Sequence, residues 1–182
     1  MQYKLSLKFL KLTVELYQKS WDEINDEFSS YIEEITGYKW SYDKYECIVS
    51  VIHKGISNWG TSSKIIRGWK ENPYTMRRIT AHELIISHYF KIYKKYYSKE
   101  NLTNEQVWVL AEVAALALTS LTPQIKHFWP WDTEYYTNHN YPHIADIQKK
   151  LKDVFLENSF NIYIKTGINM IKKYPDIKVY PN

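Results

Sequence analysis

The chain predicts an α+β domain, mostly helical, with one small antiparallel sheet packed on a central helix pair. Three observations lead there. Apolar residues recur at helical spacing over most of the 182 residues. Two short runs rich in β-branched and aromatic residues, 45–52 and 62–69, stand together before the middle of the chain. The run 107–121 is almost wholly apolar, as a helix covered on every side would be. With 45% hydrophobic residues and only five Gly and six Pro, residues 1–182 form a single domain. At this length folding buries roughly 70% of the extended-chain surface, enough for a core without disulfides or metal.

Taken in order, residues 3–17 fit both a strand, through alternation at Leu5, Leu7 and Phe9, and a helix face of Leu7, Leu10, Val14 and Tyr17, so their type stays open. Ser20 with Glu23 reads as a capping box for a helix over about 21–36, whose Ile24, Phe28, Tyr31, Ile32 and Ile35 share a face until Gly37 stops them. The two strand runs flank a loop at 55–60 and read as a hairpin or two neighbouring strands. Asn72 and Pro73 supply a cap and a first-turn proline for a long helix to about Tyr97. Thr103 with Gln106 is a second capping box and opens the apolar helix. A loop rich in Pro, Trp, Tyr and His spans 123–143, and C-terminal helices fill 144–174.

Charge and composition narrow the function classes. The net charge is +4, and its basic part lies in the middle: residues 41–100 hold eleven Lys and Arg against five acids. That patch could bind nucleic acid, but no RNP-type, zinc-finger or GXXG pattern accompanies it. Lys91, Lys94, Lys95 and Lys99 also stand where a helix end favours cations, so nucleic acid is not the expected partner. No run reaches the eighteen or so uncharged residues of a membrane span, and Lys4, Lys8 and Lys11 interrupt any signal-like start. The single Cys47 excludes a disulfide framework and reads as a small core residue. A cytoplasmic protein without membrane contact is expected.

Two segments put polar groups where apolar ones belong. In 79–90, His82, Glu83 and His88 interrupt a core-like run. In 108–118, Glu112 stands alone among Ala, Val and Leu. Burying such groups costs several kcal/mol unless they are paired or coordinate something. The short turn at about 98–103 makes the two helices an antiparallel pair, and counting back from it sets Glu112 level with the His82–His88 end. Imidazole and carboxylate are ligands that suit zinc, and a metal-free His82–Glu112 hydrogen bond would satisfy both groups as well.

A strand before a helix bearing His-Glu, followed about thirty residues later by a helix bearing Glu, resembles the zincin metallopeptidases, in particular the gluzincin branch, over 45–120. That resemblance implies zinc as cofactor, His82 and Glu112 as ligands, Glu83 as the general base, the 62–69 strand as the holder of an extended peptide substrate, and hydrolysis of peptide bonds. The pattern departs at its second histidine: Ile86 stands four residues after His82, and the next histidine is His88. On a regular helix His82 and His88 lie about 120° apart around the axis and about 9 Å along it. A π-bulge could bring His88 to the metal, the metal could be lost, or His139 or His143 of the aromatic loop could supply a ligand. The same loop, through His139, Tyr141 and His143, is a candidate lid and substrate-binding segment. The readings that follow are a zinc-dependent hydrolase of peptide bonds or its descendant, a catalytically silent relative that binds a peptide or protein partner, and a basic nucleic-acid-binding protein.

Overall fold

A computed structural model describes residues 2–52, 63–129 and 141–178, with side chains from residue 7 onward. The described elements are helices α1 (Gln2–Asp22) and α2 (Asn25–Thr36), strands β1 (Glu46–Ser50) and β2 (Lys64–Gly68), then helices α3 (Pro73–Ile92), α4 (Asn104–Ser120), α5 (Ile125–Phe128), α6 (Ile144–Glu157) and α7 (Phe160–Ile171). This is the α+β, mostly helical arrangement that the sequence predicts, with its two-stranded sheet ahead of the α3–α4 pair.

The core is organised around α4. Its Val109, Ala111, Val113, Ala114, Ala115, Leu116, Ala117 and Leu118 are all at most 1% exposed, so nearly every side of the helix is covered. Repeated alanine keeps the surface of α4 low and lets neighbours approach closely. On α7 the approach is close enough that a Cβ on Gly167 would stand 3.1 Å from Leu110 Cδ2. The capping box at its start forms as expected: the Gln106 amide donates to Thr103 Oγ1 at 3.2 Å and the Thr103 amide to Gln106 Oε1 at 2.9 Å. Gln106 then donates through Nε2 to the carbonyls of Ile171 and Tyr174, at 3.1 and 3.2 Å, which ties the end of α7 to the start of α4.

One element left open is settled and two expectations are revised. The first element is a helix, because Tyr17 and Ser20 fall on one buried face with Leu10 and Thr13 beside them. Tyr17 pins that helix to the end of β2, donating to the Gly68 carbonyl at 2.8 Å. Ser20 and Glu23 do not cap α2, which starts after Ile24 without a side-chain cap. A buried arginine takes both of them instead: Arg77 Nε donates to Ser20 Oγ at 3.1 Å and Nη2 to Glu23 Oε2 at 2.5 Å, while Nη1 reaches the Phe128 carbonyl at 3.2 Å. A guanidinium at 5% exposure requires acceptors more than a helix start requires a cap, so α1 runs on through Ser20.

The sheet is parallel rather than antiparallel, with Glu46 beside Lys64 and Ser50 beside Gly68. A hairpin joins antiparallel strands in a few residues, whereas parallel strands need a dozen or more, and residues 51–63 provide that length. The 55–60 loop lies outside the described residues. So do residues 130–140 of the aromatic loop, but its start folds into α5 and ends on buried Trp129, whose Nε1 donates to the Thr119 carbonyl at 3.1 Å. No described helix is long and apolar enough to cross a membrane.

Candidate functional site

The helix pair brings together the two residues on which the sequence reading depends. Asn72 caps α3, accepting from the Tyr74 amide at 2.9 Å, and Pro73 opens it. The antiparallel return of α4 then places Glu112 Oε2 3.0 Å from His82 Nε2. Their side chains are 18% and 13% exposed, so the pair sits at the edge of the core rather than in its centre. Burial works against a charged ring, yet the Glu112 carboxylate, by charge and by hydrogen bond, outweighs it and holds the His82 pKa above its ordinary value. Glu83 is buried beside the pair and adds to that negative field. Tyr141 lies close enough to feel Glu112: burial first, and then the charges of Glu112 and Glu105, push its hydroxyl up to about 12.

The other candidates are not brought to this point. Ile86 is 1% exposed and presents only carbon where a second imidazole would stand. His88 is also 1% exposed but lies against Trp40, with ring centroids 4.6 Å apart. A π-helical stretch does exist, at Tyr93–Tyr97, beyond His88, so the helix between His82 and His88 is regular and their angular separation stands. His143 precedes α6 in a left-handed conformation, φ 64°, with its ring 5.1 Å from that of Tyr174. His139 lies outside the described residues. Among the described residues no three His, Cys, Asp or Glu side chains are placed to share a metal.

A second feature was not anticipated from the sequence. A cleft of about 700 Å³ opens between α1, α2, the segment 38–45 and the sheet. Its walls include Tyr17, Trp21, Trp40 and Tyr45, with Cys47 and Val49 of β1 and Ile65 of β2 at its side. On α3 the lining residues are Met76, Thr80 and Leu84, one turn apart. His82 is about 200° around the helix from Thr80, so the His82–Glu112 pair and the cleft occupy opposite faces of α3. Trp40 is fixed as a wall: its Nε1 donates to the Ser29 carbonyl at 3.1 Å and its amide to Glu33 Oε1 at 3.0 Å. Lys39, at 2.6 Å, and that amide together hold the Glu33 carboxyl below its ordinary value. Cys47, expected in the core, is instead exposed as a residue on β1, yet desolvation of its sulfur at the cleft wall pushes the thiol up to about 11, so it is protonated at neutral pH. The available signal was the density of aromatics at Tyr38, Trp40, Tyr42 and Tyr45, in a segment without helix or strand.

No protein-family profile, curated protein or solved structure matches the chain.

The two histidines of α3 respond oppositely to pH. The raised pKa of His82 contributes stability that is present below the ordinary pKa and is lost as pH rises through the folded value. His88 behaves in reverse. Its burial lowers the pKa from 6.5 to about 4, only partly opposed by the Glu33 charge and the Tyr38 backbone, and neither ring nitrogen makes a hydrogen bond of good geometry. Its neutral form supports the fold above pH 6.5, and that support is lost as pH falls toward 4, by roughly 3 kcal/mol. Urea unfolding at pH 7 and pH 4.5 should show a smaller acid loss in His88→Phe than in the natural chain. Equal losses would mean that His88 is not the buried neutral group described.

Proposed function

We propose that the chain is a non-catalytic binding protein that takes an extended segment of a peptide or protein partner along β1 and into the aromatic cleft. On the reading of 45–120 as a zincin-like core, this is an inactive form in which the peptide lies along β1, on the face of α3 opposite His82 and Glu112, rather than on the 62–69 strand. The observation that carries the proposal is the cleft itself, large enough for several side chains and walled by rings beside a sheet edge.

The strand geometry supports it. The Glu46 amide donates to the Ser63 carbonyl at 2.8 Å and the Trp69 amide to the Ser50 carbonyl at 3.1 Å, so residues 46, 48 and 50 direct their backbone groups at β2. Cys47 and Val49 then direct theirs at the opposite edge, where no described strand pairs. An added peptide strand would satisfy those groups, and its alternate side chains would reach Trp21, Trp40 and Tyr45. Peptides selected on the natural protein by display should lose binding to Val14→Trp, which fills the mouth from an exposed position on α1, and to Val49→Pro, which deletes one outward amide. Failure to select any binder, or binders indifferent to both variants, would overturn the proposal.

A second reading, a zinc-dependent hydrolase or its descendant, is favoured by the His82–Glu112 contact with Glu83 beside it. His82 and Glu112 are donors that zinc accepts and Glu83 would be the base, but Ile86 leaves the set one ligand short. On this reading Ile86→His should raise zinc affinity at least about tenfold, because the new imidazole falls one turn from His82. Calorimetric titration of zinc into both proteins decides it. Unchanged affinity in the variant would remove this reading.

A further inference from the structure

Among the described residues, α1 packs one side against its own domain. Thr13 and Tyr17 bond the carbonyls of Trp69 and Gly68 at 3.3 and 2.8 Å, and Leu10 and Ser20 complete that stripe. About 100° around the helix runs a second stripe, Leu5, Phe9, Leu12 and Leu16, at steps of four, three and four residues. That is the a/d spacing of a coiled-coil seam. Phe9, Leu12 and Leu16 are 48%, 45% and 55% exposed. A helix with no partner beyond its own domain would keep this side polar.

We infer that this stripe pairs with α1 of a second copy of the chain, antiparallel, in a two-fold dimer. The flanking charges select both the occupant and the direction. With Phe9 and Leu16 at a and Leu12 at d, the charged flank (g) carries Lys8 and Glu15, and the other flank (e) carries Thr13 and Ser20. In an antiparallel pair Phe9 packs on Leu12 of the second copy, and g positions face g positions. Lys8 then meets Glu15 of the second copy, and Glu15 meets its Lys8, so both pairs are opposite in sign. In a parallel pair the same residues would face Thr13 and Ser20, which carry no charge. Among the described residues neither Lys8 nor Glu15 forms an ion pair, so both are available for these contacts. The seam spans only about 17 Å, which implies a small interface and a weak dimer, with dissociation in the micromolar range.

Sedimentation velocity of the full chain across the micromolar range tests the inference. The natural protein should shift from monomer to dimer as its concentration rises. Leu12→Lys, at an exposed position, should remain monomeric. Lys8→Glu should weaken the dimer several-fold by setting Glu against Glu, and adding Glu15→Lys should restore it to within about twofold. A monomer at every concentration overturns the inference, as does a dimer that survives Leu12→Lys. A double swap no stronger than the single variant excludes the antiparallel register. A chain that stays monomeric but co-sediments with phosphatidylserine vesicles would assign the stripe to a membrane surface and also overturn it.

Discussion

The structure depends on α4 being covered on nearly every side, with Glu112 and Trp108 at the edge of that cover. Its small and apolar residues have to be covered by α3, α5, α6 and α7, and the one carboxylate within that run must have a proton donor beside it. His82 is that donor, and its contact with Glu112 sets the rotation of α3 about its own axis. Once His82 faces α4, the stripe of Met76, Thr80 and Leu84 must face the sheet, and the cleft forms there. The His82–Glu112 pair closes the helix interface, and it lies on the face of α3 opposite the aromatic cleft.

Two other buried polar groups show what happens where no such match exists. Arg77 draws acceptors from three places, the end of α1, the α1–α2 turn and the end of α5, and in doing so overrides a capping box. His88 continues the four-residue step of Met76, Thr80 and Leu84, but Trp40 covers it and its nitrogens gain no partner. That position is held by ring packing against the cost of desolvation, which explains why its pKa falls while that of His82 rises on the same helix.

Much of this was legible in the residues. The α3 and α4 starts follow from Asn72-Pro73 and Thr103-Gln106 because those signals act within one turn and nothing competes for them. The level of Glu112 with His82 follows from helix rise and a short connection alone. What could not be read depends on contacts distant in sequence. Ser20 and Glu23 carry a valid box, and only Arg77, more than fifty residues on, redirects it. The strand direction turned on the path of residues 51–63, for which strand composition gives no sign. The cleft needed α1, α2, the 38–45 segment, the sheet and α3 to assemble, and aromatic density at 38–45 showed only that something there had to be covered. Of the lid residues, Tyr141 does approach Glu112, whereas nothing in the spacing separates it from His143, which turns to Tyr174.

The most direct test of the account is an NMR titration of the His82 ring in the natural protein and in Glu112→Gln. A carboxylate 3.0 Å from Nε2 should hold the His82 pKa above 6.5, and removing its charge should leave burial opposed only by the weaker Glu83 charge and drop the pKa below that value. A His82 pKa at or below 6.5 in the natural protein, or one that Glu112→Gln leaves unchanged, would contradict the pairing from which the orientation of α3 follows.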